Sequence, residues 1–398
     1  MLGRTQPPDH VGQYALGKRL GVGSMGIVHL AVHESLGRQA ALKLRFKENH
    51  PSEELLSERF FQGAVLQAEL NHQAIAQIHD YFETDTYQAI AIEYLAGGSL
   101  EDQLKATGRP IDVIDVVGTG LTLAAALRVA HAQGVVHRDI KPANILFARA
   151  GVPQTAKLCD FGVAKAPERS PDLTVVGANV GTIWYMPPEQ FAKAELDGRA
   201  DIYALGATLY EMLTGTIPFE RVDTGEVFKR FLDGAPLPPI RSRNPMVPPA
   251  LAAVVEACLT VDASQRMPSA VALYACLEAV LVTAGLALPS DRTDSEHSVL
   301  ASDAFTAVLD QIDSDGSVGL VQALTDLGYR NDAATIGFKA YDASQDDAEP
   351  ITALGSGGFK VIETVEQSRF DFGANEEAFD DDDDDHTIVT FAEDDEFK

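Results

Sequence analysis

With 398 residues, 45% of them apolar and 23% charged, the chain is long enough to bury one large core or two ordinary ones. Its formal net charge of −28 is concentrated at one end: residues 285–398 hold 28 of the 59 acids and 6 of the 31 bases, a net of −22. A surface that acidic repels nucleic acid and anionic lipid, which argues against both as partners.

The first residues carry acids, prolines and glycines where a signal peptide needs an apolar centre, so no export is expected. Cys159, Cys258 and Cys276 have no metal-ligand spacing and cannot all pair, which suits a reducing, cytoplasmic compartment. From about Tyr14 to Leu95 the pattern predicts strands at Gly26–Val32, Ala40–Phe46 and Tyr87–Glu93, with one helix over Ser52–Leu70. From Ser99 onward helical periodicity takes over, clearest in Val113–Gln133, Ala200–Thr214 and Ala250–Leu259. Ala270 to Pro289 is nearly long enough to cross a bilayer, but Glu278 would lie mid-membrane and no basic cluster flanks it. A buried helix is therefore expected there. Beyond about Ser290 the composition shifts to Asp, Ser, Ala and Gly, with candidate short helices at Ala304–Ile312 and Gly319–Tyr329 and an unstructured stretch over Asp342–Asp385.

Four short segments carry chemistry. Gly21-Val22-Gly23-Ser24-Met25-Gly26-Ile27-Val28 fits a glycine-rich loop between strands, where missing side chains let backbone N–H groups close over phosphates. A chance glycine-rich hairpin fits equally, whereas a dinucleotide fold needs a helix after the third glycine, and Ile27 to Val32 reads as a strand. Lys43 stands in an apolar strand seventeen residues after Gly26. A lysine so placed either meets a phosphate or sits at a strand edge in solvent. His137-Arg138-Asp139-Ile140-Lys141-Pro142-Ala143-Asn144 gathers a carboxylate, an ammonium and an amide on one loop, the set that orients a hydroxyl, neutralises a phosphoryl group and holds a metal. Sixteen residues after Asn144, Asp160-Phe161-Gly162 offers a carboxylate suited to Mg²⁺.

In this order and spacing the motifs resemble the protein kinase family, specifically the eukaryotic-like serine/threonine kinases of bacteria, over about residues 12–284. The resemblance implies an α+β bilobal kinase fold: a small β-rich lobe over about 12–95, a larger helical lobe over about 96–284, then a mostly disordered acidic regulatory tail over 285–398. It implies ATP and Mg²⁺ as cofactors and proteins as substrates. Asp139 would align the substrate hydroxyl, Lys141 would contact the γ-phosphate, Asn144 and Asp160 would hold Mg²⁺, and Lys43 would grip the α- and β-phosphates. The glycine-rich loop from Gly21 to Val28 would cover the phosphates, and the hinge Glu93-Tyr94-Leu95, with Ile92 behind it, would bind adenine. Lys141 followed by Pro142 resembles the serine/threonine form of the loop. Glu189 would pair with Arg266, and Asp201 would support the catalytic-loop backbone. Arg138 marks kinases whose activation segment is ordered by phosphorylation, with Thr174 the candidate phosphorylation site and Thr182 structural.

One departure stands out. The family's small-lobe helix carries a glutamate that pairs with the lysine, and counting back from His72 places Gly63 there. Glu58 and Glu69 lie about 140° and 120° away around a helix, while Gln67 shares the face without a charge. Two readings follow: an active kinase whose Lys43 is held by phosphates, Asp160 or a displaced Glu58, or a nucleotide-binding pseudokinase scaffold. The complete catalytic loop favours the first.

The six aspartates of Asp380–Asp385 and the acids of Glu393–Glu396 flank Thr387 and Thr390. This tract is either a solvated tail or a contact for a basic partner or for the kinase domain itself, adjustable by threonine phosphorylation. Asp310, Asp313, Asp315 and Gly316 lack the final glutamate of a calcium loop.

Overall fold

The computed structural model describes residues 7–161, 183–284 and 312–326, except 24, 25, 49, 193, 220–224, 227, 228 and 231–236. Ser24, Met25, Gly162, Thr174, Thr182 and the acidic tract at 380–396 lie outside the described residues.

A six-stranded antiparallel sheet builds the small lobe from β1 (His10–Val11), β2 (Tyr14–Gly23), β3 (Gly26–His33), β4 (Gln39–Phe46), β5 (Ile78–Glu83) and β6 (Tyr87–Glu93), in the order β1-β2-β3-β4-β6-β5. Period-two alternation along β4 turns Ala40, Leu42 and Leu44 into a core with Val11, Tyr14, Ala31, Ala89 and Ala91. The opposite face of β4 carries Lys43 and Arg45. Helix α1 (Glu53–Glu69) packs on that side of the sheet, chiefly against β5 and β6, burying Phe60, Ala64 and Gln67.

The large lobe forms around α3 (Val113–Ala132), preceded by α2 (Leu100–Thr107) and followed by the short hairpin β7 (Ile145–Phe147) and β8 (Ala156–Leu158). Then come α4 (Pro188–Phe191), α5 (Gly198–Thr214), α6 (Ile240–Arg243), α7 (Pro249–Cys258) and α8 (Ala270–Thr283). Side-chain caps start these helices at Ser99, Asp197 and Ser269, each accepting a first-turn N–H. Helix α3 is apolar and long enough to span a membrane, but it is largely buried among α5, α8 and β8. Its composition is that of a core helix. The apolar stretch from Ala270 likewise forms a buried helix, α8, which ends at Thr283.

The described part of the stretch expected to be tail contains a single helix, α9 (Ile312–Asp326), which includes residues 319–326 of the helix expected over Gly319–Tyr329 and begins seven residues earlier; of the helix expected over Ala304–Ile312, all but Ile312 lies outside the described residues. Leu320, Val321 and Leu324 are buried in the large-lobe core, packed toward α7. Residues 313–316 are helical, which is incompatible with a calcium loop there.

Candidate active site

The candidate site is built where β3, β4, the loop after α3 and the end of β8 converge. Gly26 is required by its surroundings: its φ is +140°, and an added Cβ would lie 2.2 Å from the Leu44 carbonyl oxygen. This close approach lets the start of β3 lie edge to edge with β4 in the sheet, where Val28 pairs with Lys43. Lys43 Nζ lies 2.7 Å from Asp160 Oδ2, with the lysine side chain 11% exposed. Of the three partners the sequence allowed, Asp160 is the one observed; Glu58 accepts instead from Gln62.

The segment from His137 to Asn144 is held from beneath by Asp201, in the first turn of α5. Its carboxylate is fully buried and accepts the N–H groups of His137 and Arg138, both at 2.8 Å, and His131 Nε2 at 2.8 Å. Burial pushes the Asp201 carboxyl up, but the hydrogen bonds from His131 and the Arg138 N–H and the charge of His131 outweigh it and hold it below the usual range. The anchoring offsets a local strain, since Arg138 adopts φ 66° without being glycine.

His137 is fully buried, with its ring 4.5 Å from that of Phe161. Its Nε2–H donates to the Cys159 carbonyl at 3.1 Å, and Nδ1 accepts the Asp139 N–H at 3.2 Å, a pair of bonds that requires the neutral imidazole. Burial depresses its pKa in the same sense.

Above this support, Asp139 Oδ2 accepts from Lys141 Nζ at 2.9 Å and from Asn144 Nδ2 at 3.0 Å. Asn144 Nδ2 also bonds the Asp139 carbonyl at 2.8 Å, which fixes the amide with its oxygen turned away. Cys159 N–H donates to the Asn144 carbonyl at 3.1 Å and so ties the loop to the residue before Asp160. Asp160 itself has φ 63°, a left-handed conformation unusual for a non-glycine residue and frequent at functional sites. Among the described residues no cluster of three or more His, Cys, Asp or Glu forms a metal cage. One carboxylate and one amide oxygen are nevertheless the donor set Mg²⁺ accepts when phosphates complete its shell.

At the far side, Glu93 ends β6 and its carboxylate is engaged by Lys157 Nζ at 2.7 and 2.8 Å, so any adenine contact from Glu93 would be main-chain. Ile92 and Leu95 are buried in a cluster with Phe60, Ala64, Ala76, Ile90 and Cys159. Below the catalytic loop, Glu189 in α4 forms a bidentate pair with Arg266 at 2.6 and 2.9 Å. Sequence reasoning brought Asp139, Lys141, Asn144, Asp160, Asp201 and the Glu189–Arg266 pair to these places. It missed His131 on Asp201 and Lys157 on Glu93, side chains some seventy residues from their partners that no local motif marks.

A model of the protein kinase domain matches residues 14–275. The chain is 33% identical over 389 residues to serine/threonine-protein kinase PknB of Mycobacterium leprae, covering 90% of this chain and 61% of that protein. It is 36% identical over 269 residues to PknJ of Mycobacterium tuberculosis, covering 65% and 43%. Against pkn2 of Myxococcus xanthus it is 31% identical over 295 residues, covering 70% and 34%. The chain thus spans less than two thirds of the length of these relatives.

Proposed function

Since this chain belongs to the protein kinase family, in its bacterial serine/threonine branch, we propose that it transfers the γ-phosphoryl group of ATP to serine or threonine hydroxyls of proteins. The observation that carries the reading is the Asp139 carboxylate, gripped by Lys141 and Asn144 and joined through Asn144 and Cys159 to Asp160.

In this reading Asp139 accepts the hydrogen bond of the incoming hydroxyl and aims it at the phosphorus. A carboxylate of ordinary basicity suffices, because phosphoryl transfer passes through a loose transition state in which positioning and charge dominate. Lys141, already 2.9 Å from Asp139, is placed to neutralise charge that develops on the phosphoryl oxygens. Mg²⁺, held by Asp160 and the amide oxygen of Asn144, would shield the phosphates. Lys43, which here bonds Asp160, would supply positive charge to the α- and β-phosphates. The backbone of the Gly21–Val28 segment would close over the nucleotide, and main-chain groups of Glu93 and Leu95 would take adenine.

The pseudokinase alternative rested on Gly63 leaving Lys43 without a partner. The 2.7 Å bond to Asp160 weakens that argument. Autophosphorylation in the activation segment, with Thr174 the candidate, a cytoplasmic setting for the three free buried thiols, and contact of the acidic tail with a basic surface belong to the same proposal.

The test is transfer from labelled ATP·Mg²⁺ to the protein and to a basic protein substrate, beside Asp139→Asn and Lys43→Met, with phosphosites mapped by mass spectrometry. Incorporation on serine or threonine that both substitutions abolish is the expected result. ATP binding without any transfer would overturn the reading in favour of a scaffold.

A further inference from the structure

Helix α1 lacks the charged side chain that would tie it to Lys43, yet it is firmly seated. At Gly63 an added Cβ would lie 3.3 Å from the Phe161 carbonyl oxygen, so the helix backbone itself rides against the segment that carries Asp160. Lys43 is turned to Asp160.

Two other attachments hold the helix. At its start, Arg45, two residues beyond Lys43 on the same face of β4, bonds Glu53 Oε1 at 2.7 Å, Ser57 Oγ at 3.1 Å and Gln88 Oε1 at 2.8 Å. Burial raises the Glu53 carboxyl, but the Glu48 N–H, Arg45 and Ser57 outweigh it and hold it below the usual range. The strand-to-helix ion pair therefore exists, displaced to the first turn.

At the other end, one turn beyond Gly63 on the same face, Gln67 is only 3% exposed. Its Nε2 donates to the Ala76 carbonyl at 2.7 Å, and its Oε1 accepts the Phe161 N–H at 3.4 Å. Ala76 is fixed in turn, its N–H bonded to the Leu158 carbonyl at 2.8 Å. A buried amide with its donor and its acceptor both engaged sets one orientation of the groups it joins.

We propose that Gln67 is a positioning residue that couples helix α1 to the Asp160-Phe161 backbone, and so sets the carboxylate of Asp160, in place of a charge at position 63. The inference deepens the kinase reading and rests on it for its kinetic consequence. Because the link is a neutral amide, Lys43 is left to Asp160 and the nucleotide, and the coupling carries no ionic-strength dependence of its own.

The experiment uses the full chain and the variants Gln67→Leu, which removes both bonds at similar volume, and Gln67→Glu, which keeps the acceptor and loses the donor. Three quantities are read: kcat and KM for ATP in phosphotransfer, hydrogen exchange of the Phe161 amide, and thermal stability. For Gln67→Leu the expected result is a kcat about tenfold lower, KM for ATP within about threefold, and faster exchange at Phe161. Gln67→Glu should keep Phe161 exchange closer to wild type than Gln67→Leu does, and it carries the test if the leucine variant does not fold. Unchanged kcat and unchanged Phe161 exchange would overturn the proposal, as would a loss of thermal stability with neither of them altered. If the wild type transfers no phosphate, the kinase reading fails, while the exchange measurement still decides the coupling.

Discussion

Glu189→Gln probes the most fully satisfied charge in the large lobe. The Arg266 side chain has no exposed surface, and its five N–H positions are all used: Nε to the Thr260 carbonyl, one terminal nitrogen to Glu189 and the Arg199 carbonyl, the other to Glu189 and the Val261 carbonyl. Its guanidinium also lies 5.0 Å from the Tyr203 ring centroid. Substitution by glutamine removes the only carboxylate among these partners and turns an NH₂ toward one of the N–H donors. Breaking a buried pair from one side typically costs about 3–5 kcal/mol, because the remaining charge stays buried. At about 2–4 °C per kcal/mol for a domain of this size, Tm should fall by roughly 6–20 °C. Differential scanning fluorimetry and urea titration measure it. The double variant Glu189→Leu with Arg266→Met should recover much of the loss, since neither charge is then stranded. A single variant within about 1 kcal/mol of wild type would refute the reasoning and make the pair electrostatically idle.

Asp201→Asn should flatten acid unfolding: the folded carboxyl sits below its unfolded value of about 3.9, so its contribution is complete above that pH and disappears as pH falls through the lower folded value. Circular dichroism as a function of pH would show an equally steep acid limb in the variant if this is wrong. Gly26→Ala, forced into φ +140° and against the Leu44 carbonyl, should cost about 2–3 kcal/mol and raise KM for ATP; an alanine variant with normal Tm and KM would contradict the close approach of Gly26 to β4. Truncation after residue 311 should lower Tm by about 4 °C or more relative to truncation after residue 330, because Leu320, Val321 and Leu324 leave the core. Equal melting of the two truncated chains would mean that α9 contributes nothing to the fold's stability.

Much of the small lobe was readable because its signals are local. Alternation in Gln39–Phe46 is a period-two pattern, and the strands and helix expected at Gly26–Val32, Tyr87–Glu93 and Ser52–Leu70 appear within a residue or so of their expected bounds. The loop from His137 to Asn144 was readable for a similar reason: Asp139, Lys141 and Asn144 lie within six residues, and Lys141 and Asn144 each bond Asp139.

What the sequence by itself determined, then, is which strands and loops carry the charged and amide groups of the candidate site and in what order they follow, because short loops and strand periods constrain their own neighbours. Which partner each group takes was decided only by tertiary structure. Lys43 reaches Asp160 across 117 positions of chain, Gln67 reaches Phe161 across 94, and Asp201 gathers three donors from 63 to 70 positions away. Such pairings follow from how helix α1 seats on β5 and β6 and how α5 passes under the loop, and that seating is set by apolar burial, which is non-directional and leaves no residue-by-residue mark in the sequence.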